Sequence, residues 1–138
     1  MRLFQRSSND NGRQTGPVRR IRTVVIDDHP IIHEALAIAF GSRQDLVLCG
    51  SARSFDEALA LVESARPDVA VVDLSLGEEH GLDLIKILRG KYPRLKMVVF
   101  SLYDEQVYAE RTIRAGASAY VMKNEPTATL IEAVREVY

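Results

Sequence analysis

Five short apolar runs punctuate this chain: TVVID at 23–27, LVLCG at 46–50, VAVVD at 69–73, MVVFS at 97–101 and AYVMK at 119–123. They are rich in valine and too short to be helices. None alternates polar with apolar residues. Each therefore reads as a strand buried on both faces, the pattern of a parallel sheet. A parallel strand cannot return by a tight hairpin, so each gap must hold a crossover element.

The gaps carry helical periodicity. Ile32, Leu36 and Phe40 recur every fourth residue, with Gly41 as a stop. Ser54 and Glu57 form a capping box ahead of Ala58, Leu61 and Val62. Leu82, Ile85 and Leu88 follow Gly81, and Gly90 is expected to end that stretch. Val107 to Ala115 reads as a helix closed by Gly116. Pro126 fits the first turn of a last helix carrying Leu130, Ile131, Val134 and Val137. The sum is an α/β chain of (βα)5 type, doubly wound, with helices on both faces of an open parallel sheet.

In such sheets, sites form beyond the carboxyl ends of the strands. Four of the runs end there on polar residues: Asp27 with Asp28 next to it, Asp73, Ser101 and Lys123. Three carboxylates brought together would destabilise the fold and raise one another's pKa values. A divalent cation relieves that repulsion, and an all-oxygen site with room for water suits Mg2+ or Mn2+ rather than zinc. No His/Cys cluster has zinc spacing; His29, His33 and His80 read as scattered surface or loop residues. A cation held by carboxylates beside a lysine and a hydroxyl is a phosphoryl-transfer layout, in which a carboxylate can be the nucleophile. Asp73 ends the most continuously apolar run and is the candidate nucleophile.

Composition narrows the alternatives. A chain of 138 residues suits one domain, and a net charge of −1 advertises neither nucleic acid nor an anionic membrane. No apolar stretch is long enough to cross a bilayer. Cys49, the lone cysteine, reads as a small core residue and fits a reducing, cytoplasmic setting. Residues 1–20 carry five arginines and one aspartate, net +4, leaving −5 for the remainder. With only Met1, Leu3, Phe4 and Val18 apolar, they are expected to form a flexible basic extension ahead of a domain over 21–138.

VVIDDHP, VVDLSLGEEHGLDLIK, VVFSLYDE and GASAYVMKNE together resemble the receiver domain of two-component response regulators, with most likeness to the NarL/FixJ (LuxR-type) group. The resemblance covers residues 21–138. It implies a flavodoxin/CheY-like five-stranded sheet in the order 2-1-3-4-5. It also implies that Asp73 is the phosphoacceptor of a partner histidine kinase. Mg2+ would be bound by Asp28 directly, by Asp27 mainly through water, by Asp73 and by the backbone carbonyl of Ser75. Lys123 would pair with the phosphoryl group, Ser101 would move to hydrogen-bond it, and Tyr120 would turn inward as the aromatic switch. The surface biased by phosphorylation would be the fourth helix, fifth strand and fifth helix. A homodimer is a plausible assembly on this resemblance. DNA would be reached only through an output domain, absent from this chain, and no membrane is involved.

Some positions depart from the family pattern. Gly77 and Asn124 stand where proline is frequent, and His80 where an acidic residue often precedes the glycine. Leu102 is bulky after the switch hydroxyl, and Tyr103 lies where side chains influence dephosphorylation. A trans Lys123–Asn124 bond is expected. Other functions fit less well. An aspartyl-phosphate phosphatase needs an aspartate two residues after its nucleophile, where Ser75 stands. A flavodoxin-like binder needs a Ser/Thr/Gly-rich phosphate loop where Asp27-Asp28-His29-Pro30 stands. A stand-alone or phosphorylation-independent receiver, acting as a protein-interaction module, is the alternative. Catalysis on an external substrate is not expected.

Overall fold

The computed structural model describes Arg2–Leu3, residues 19–77 and residues 81–138. Eleven elements follow in order: β1 (Arg2–Leu3), β2 (Ile21–Ile26), α1 (Pro30–Gly41), β3 (Leu46–Ala52), α2 (Phe55–Ala65), β4 (Val69–Val72), α3 (Gly81–Lys91), β5 (Lys96–Ser101), α4 (Glu105–Ala115), β6 (Ala119–Met122) and α5 (Thr127–Val137). The sheet order is β1-β6-β5-β4-β2-β3. Its five parallel strands β2 to β6 thus have the expected 2-1-3-4-5 arrangement.

The unbroken apolar runs are explained by two cores, one on each face. Along β2, Val24 and Ile26 join one core while Val25 joins the other. Ala70 and Val72 alternate in the same way with Val69 and Val71, and Met97 and Val99 with Val98 and Phe100. One core is closed by Ala58 and Val62 of α2 and by Leu84, Ile85 and Leu88 of α3. The other is closed by Leu36 and Phe40 of α1 and by Leu130, Ile131 and Val134 of α5. The period-2 geometry of a strand demands an apolar residue at every position when both faces are covered. Strand β3 is less completely buried because it lies at the sheet margin. Cys49, on β3, is partly buried against the first core.

Register sets the site. Strand β2 pairs with β3 on one side and β4 on the other, so the chain reverses its winding direction between β2 and β4. Ile26 lies beside Val72, which places Asp27 next to Asp73. The ladder continues through both aspartates: Asp27 N–H donates to Ala52 O at 3.0 Å and Asp73 N–H to Ile26 O at 2.9 Å.

Several boundaries differ from the sequence expectation. Gly90 does not end α3, which runs to Lys91 before Pro93 stops it. Gly41, by contrast, is the last residue of α1 and the helix stops there as expected, with Ser42 as its C-cap. Pro126 is the N-cap of α5, not part of its first turn. Ser54 caps α2 as expected, accepting from Glu57 N–H at 3.2 Å, but the Glu57 carboxylate reaches the N–H of Arg53, one residue before the cap. At the start of the expected extension, Arg2 and Leu3 pair antiparallel with Tyr120 and Ala119 and so cover the outer edge of β6. The rest of that segment, residues 4–18, lies outside the described residues. Among the described residues no peptide bond is cis, so Lys123–Asn124 is trans.

Gly81 is fixed by contact. A Cβ there would meet Asp73 O at 2.3 Å and Leu74 Cα at 2.7 Å. Its N–H donates to Leu74 O at 3.0 Å, so α3 abuts the loop after β4. Gly81→Ala should destabilise the fold by about 1–3 kcal/mol through overpacking, read as a lower urea midpoint at unchanged slope.

Candidate functional site: an acidic cluster with a buried lysine

Asp27, Asp73, Ser101 and Lys123 all lie at the carboxyl ends of parallel strands, as the sequence predicts, and Asp28 follows in the loop after β2. Asp27 and Asp73 are buried, at 2% and 1% exposure. A buried carboxylate pair needs a compensating charge. Lys123 supplies it: Nζ lies 2.8 Å from Asp27 Oδ2 and 3.2 Å from Asp73 Oδ2, with its side chain only 6% exposed.

Ser75 serves the site by its side chain. Its hydroxyl lies 3.0 Å from each oxygen of Asp73, and its N–H donates to Asp73 Oδ1 at 3.1 Å. The Asp73 carboxylate is therefore held flat against the loop and cannot rotate freely. Gly77, at φ 57°, uses left-handed backbone to turn its N–H onto Asp28 Oδ2 at 3.1 Å. That observation accounts for glycine in a position where the resemblance led one to look for proline.

His29 is an exposed loop residue, as the sequence reading expects, but it does not stand apart from the site. Its Nδ1 lies 2.7 Å from Asp27 Oδ1, 3.2 Å from Asp28 Oδ1 and 3.5 Å from Asp73 Oδ2. The available signal was the proline after it. A residue before proline is pushed to extended backbone, and His29 sits at φ −94°, ψ 112° as the N-cap of α1. Its N–H is thereby turned back onto Asp27 Oδ1 at 2.8 Å, so the ring stays above the aspartates. His33, one turn into α1, bonds Asp27 O through Nε2. His80 lies outside the described residues.

Ligand atoms of Asp27, Asp28, His29 and Asp73 all fall within 4.8 Å of one another. Asp28 Oδ1 is buried and accepts no hydrogen bond among the described residues, although the imidazole nitrogen lies 3.2 Å away. A carboxylate oxygen buried without a donor is costly unless a cation meets it. The donor set is oxygen-rich and opens on a half-exposed side, which fits a hydrated divalent ion.

Ser101 and Tyr120 make a second set of contacts. No hydrogen bond joins Ser101 to Asp73 among the described residues. Instead both residues converge on Tyr103. Ser101 Oγ accepts from Tyr103 N–H at 3.1 Å, and the Tyr120 hydroxyl donates to Tyr103 O at 2.7 Å. The Tyr103 ring stacks on Tyr108 of α4 with centroids 5.0 Å apart. Tyr120 is wholly buried and inward-facing. Burial pushes its phenol from 10.0 up to about 12, against an opposing contribution from the Ser101 hydroxyl.

The chain matches the family model for the response regulator receiver domain over residues 23–135. It is 34% identical to the DNA-binding transcriptional activator DevR/DosR of Mycobacterium tuberculosis, over 85% of this chain and 54% of that protein. It is 30% identical to the transcriptional regulatory protein DegU of Brevibacillus brevis, over 86% of this chain and 50% of that protein. The chain spans about half the length of the curated relatives it matches. Among solved structures, a LuxR-family two-component response regulator from Aurantimonas sp. SI85-9A1 superposes with a TM-score of 0.79 at 28% identity, covering 84% of this chain and 83% of that one. The signal receiver domain of the response regulator NarL from Mycobacterium tuberculosis gives 0.79 at 25% identity, covering 85% and 94%.

Two outcomes follow from the geometry. In buffer free of divalent ions, Lys123→Ala should cost about 3–5 kcal/mol of stability by leaving two buried carboxylates uncompensated, and adding Asp27→Asn should recover part of it. Urea unfolding of the single and double variants measures both. For Tyr120, the folded state holds a proton that the unfolded state releases near pH 10.0. Its contribution to stability is therefore complete below that pH and is lost as pH rises through about 12. Tyr120→Phe should flatten the fall in stability across that window, measured by unfolding at a series of alkaline pH values.

Proposed function

Since this chain belongs to the response regulator receiver domain family, we propose that it accepts a phosphoryl group on Asp73 and transmits the change through Ser101 and Tyr120. The family signals; it is not a class of enzymes turning over an external substrate. The observation that carries the proposal is the convergence of Asp27, Asp28 and Asp73 with Lys123 at one end of the sheet.

The donor is a sensor histidine kinase. Its phosphohistidine N–P bond breaks as an oxygen of Asp73 bonds to phosphorus, giving an acyl phosphate. Mg2+ or Mn2+, held by Asp27, Asp28, Asp73 and the Ser75 carbonyl, would neutralise charge on the transferring group. Lys123 is already 3.2 Å from Asp73 Oδ2 and balances the added charge as the bond forms. Ser75 keeps the carboxylate oriented for attack.

Transmission follows from the Tyr103 junction. A Ser101 hydroxyl drawn to the phosphoryl oxygens gives up the Tyr103 N–H. That loosens the loop 102–104, whose Asp104 caps α4 by accepting from Gln106 N–H at 2.9 Å. The affected surface is α4, β6 and α5. On α1, Ile31 and Ile38 are 71% and 76% exposed one heptad apart, an apolar stripe suited to a helical partner such as the kinase. For the whole protein we propose cytoplasmic transcription control through an output domain, by likeness to the DNA-binding activator DevR/DosR. The domain proper is taken to be residues 21–138, with 1–20 as an N-terminal extension.

Incubation with a small phosphodonor and Mg2+ should label wild-type protein and leave Asp73→Asn unlabelled, read by mass spectrometry. A label that persists in Asp73→Asn, or no label at all, overturns the assignment.

A further inference from the structure

The imidazole of His29 stands closer to the acidic cluster than a passive neighbour would. Octahedral cations at about 2.1 Å from each ligand hold adjacent ligands about 3 Å apart. His29 Nδ1 lies 2.7, 3.2 and 3.5 Å from one oxygen each of Asp27, Asp28 and Asp73. Those are separations suited to one corner of a coordination sphere whose neighbouring corners are the three carboxylates. The ring is 47% exposed at its outer side, so the corner faces the approach from solvent. Nδ1 is also within hydrogen-bond distance of Asp27 Oδ1 at 2.7 Å and of Lys123 Nζ at 3.3 Å, so a bound cation would take the place of these contacts. Pro30 and the Asp27 contact to the His29 N–H restrict the backbone, so little freedom is lost when the ring binds.

We propose that His29 Nδ1 is a fourth side-chain ligand of the cation site and biases it toward nitrogen-accepting transition ions such as Co2+ relative to Mg2+. This rests on the reading of the acidic cluster as a cation site. Carboxylates alone serve hard ions; an imidazole adds most for ions later in the transition series and little for Mg2+.

Calorimetric titration of the full chain with Co2+ and with Mg2+ tests this, in wild type, His29→Ala, His29→Asn and Asp28→Ala. In His29→Ala, Co2+ affinity should fall about tenfold or more while Mg2+ affinity changes much less. His29→Asn, which offers an oxygen in place of Nδ1, should keep Mg2+ binding and still lose the Co2+ gain. The visible absorption of bound Co2+ should shift between wild type and both His29 variants. Urea unfolding of the variants verifies that each is folded. Equal loss for both ions, or no change, overturns the ligand role. A rise in affinity for both ions on removing the ring also overturns it, since the imidazole would then be competing with the metal. If wild type binds neither ion, or Asp28→Ala binds both as wild type does, the cation site itself is wrong, and the His29 proposal with it.

Discussion

One buried ammonium makes the rest of this molecule possible. The carboxyl ends of β2 and β4 are adjacent because of how the sheet is wound, so Asp27 and Asp73 must approach each other out of water. Without Lys123 between them, the fold would carry two uncompensated charges at the centre of its sheet. The lysine follows β6, which β5 separates from β4, so four strands, β2, β4, β5 and β6, must be in register for the charges to meet. Folding and charge balance are thus one condition. A pair held this tightly is also poised, because any new charge on Asp73 alters what the lysine must satisfy.

Around that centre the side chains make two sets of contacts. Ser75 and Gly77 hold Asp73 and Asp28 by hydrogen bonds from the loop after β4. Gly81 keeps that loop pressed to α3, where no side chain would fit. Ser101 and Tyr120 are tied to the two ends of one peptide residue, Tyr103, and through its ring to α4. Oriented carboxylates at one place and a shared tether at Tyr103 beside them are the two features on which the proposed switching rests.

Much of this was legible in the residues. Five unbroken apolar runs, four of them ending on polar side chains, give both the parallel sheet and the acidic end, because period-2 burial and strand polarity leave little choice. Helix ends are less legible: Gly90 looks like a stop, but α3 runs on to Lys91, with Tyr92 N–H still donating to Leu88 O at 2.8 Å. The surface-loop position of His29 is legible, but the approach of its ring to the aspartates is not, because a histidine between Asp28 and Pro30 has no periodicity to orient it; only the backbone restriction imposed by the proline hints at it. The role of the Ser75 hydroxyl and the Tyr103 junction depend on loop conformation, which local sequence specifies weakly. Strand β1 was missed because two residues of an arginine-rich segment carry no strand signal of their own; the demand came from the edge they cover.

That small strand has a consequence for how copies of the sheet can meet. Main-chain groups of Ala119 and Tyr120 on the outer side of β6 are already engaged by Leu3 and Arg2. A foreign strand seeking to extend the sheet there must first evict two residues of the chain itself, so the margin that bears Tyr120 is guarded by competition rather than by charge or proline.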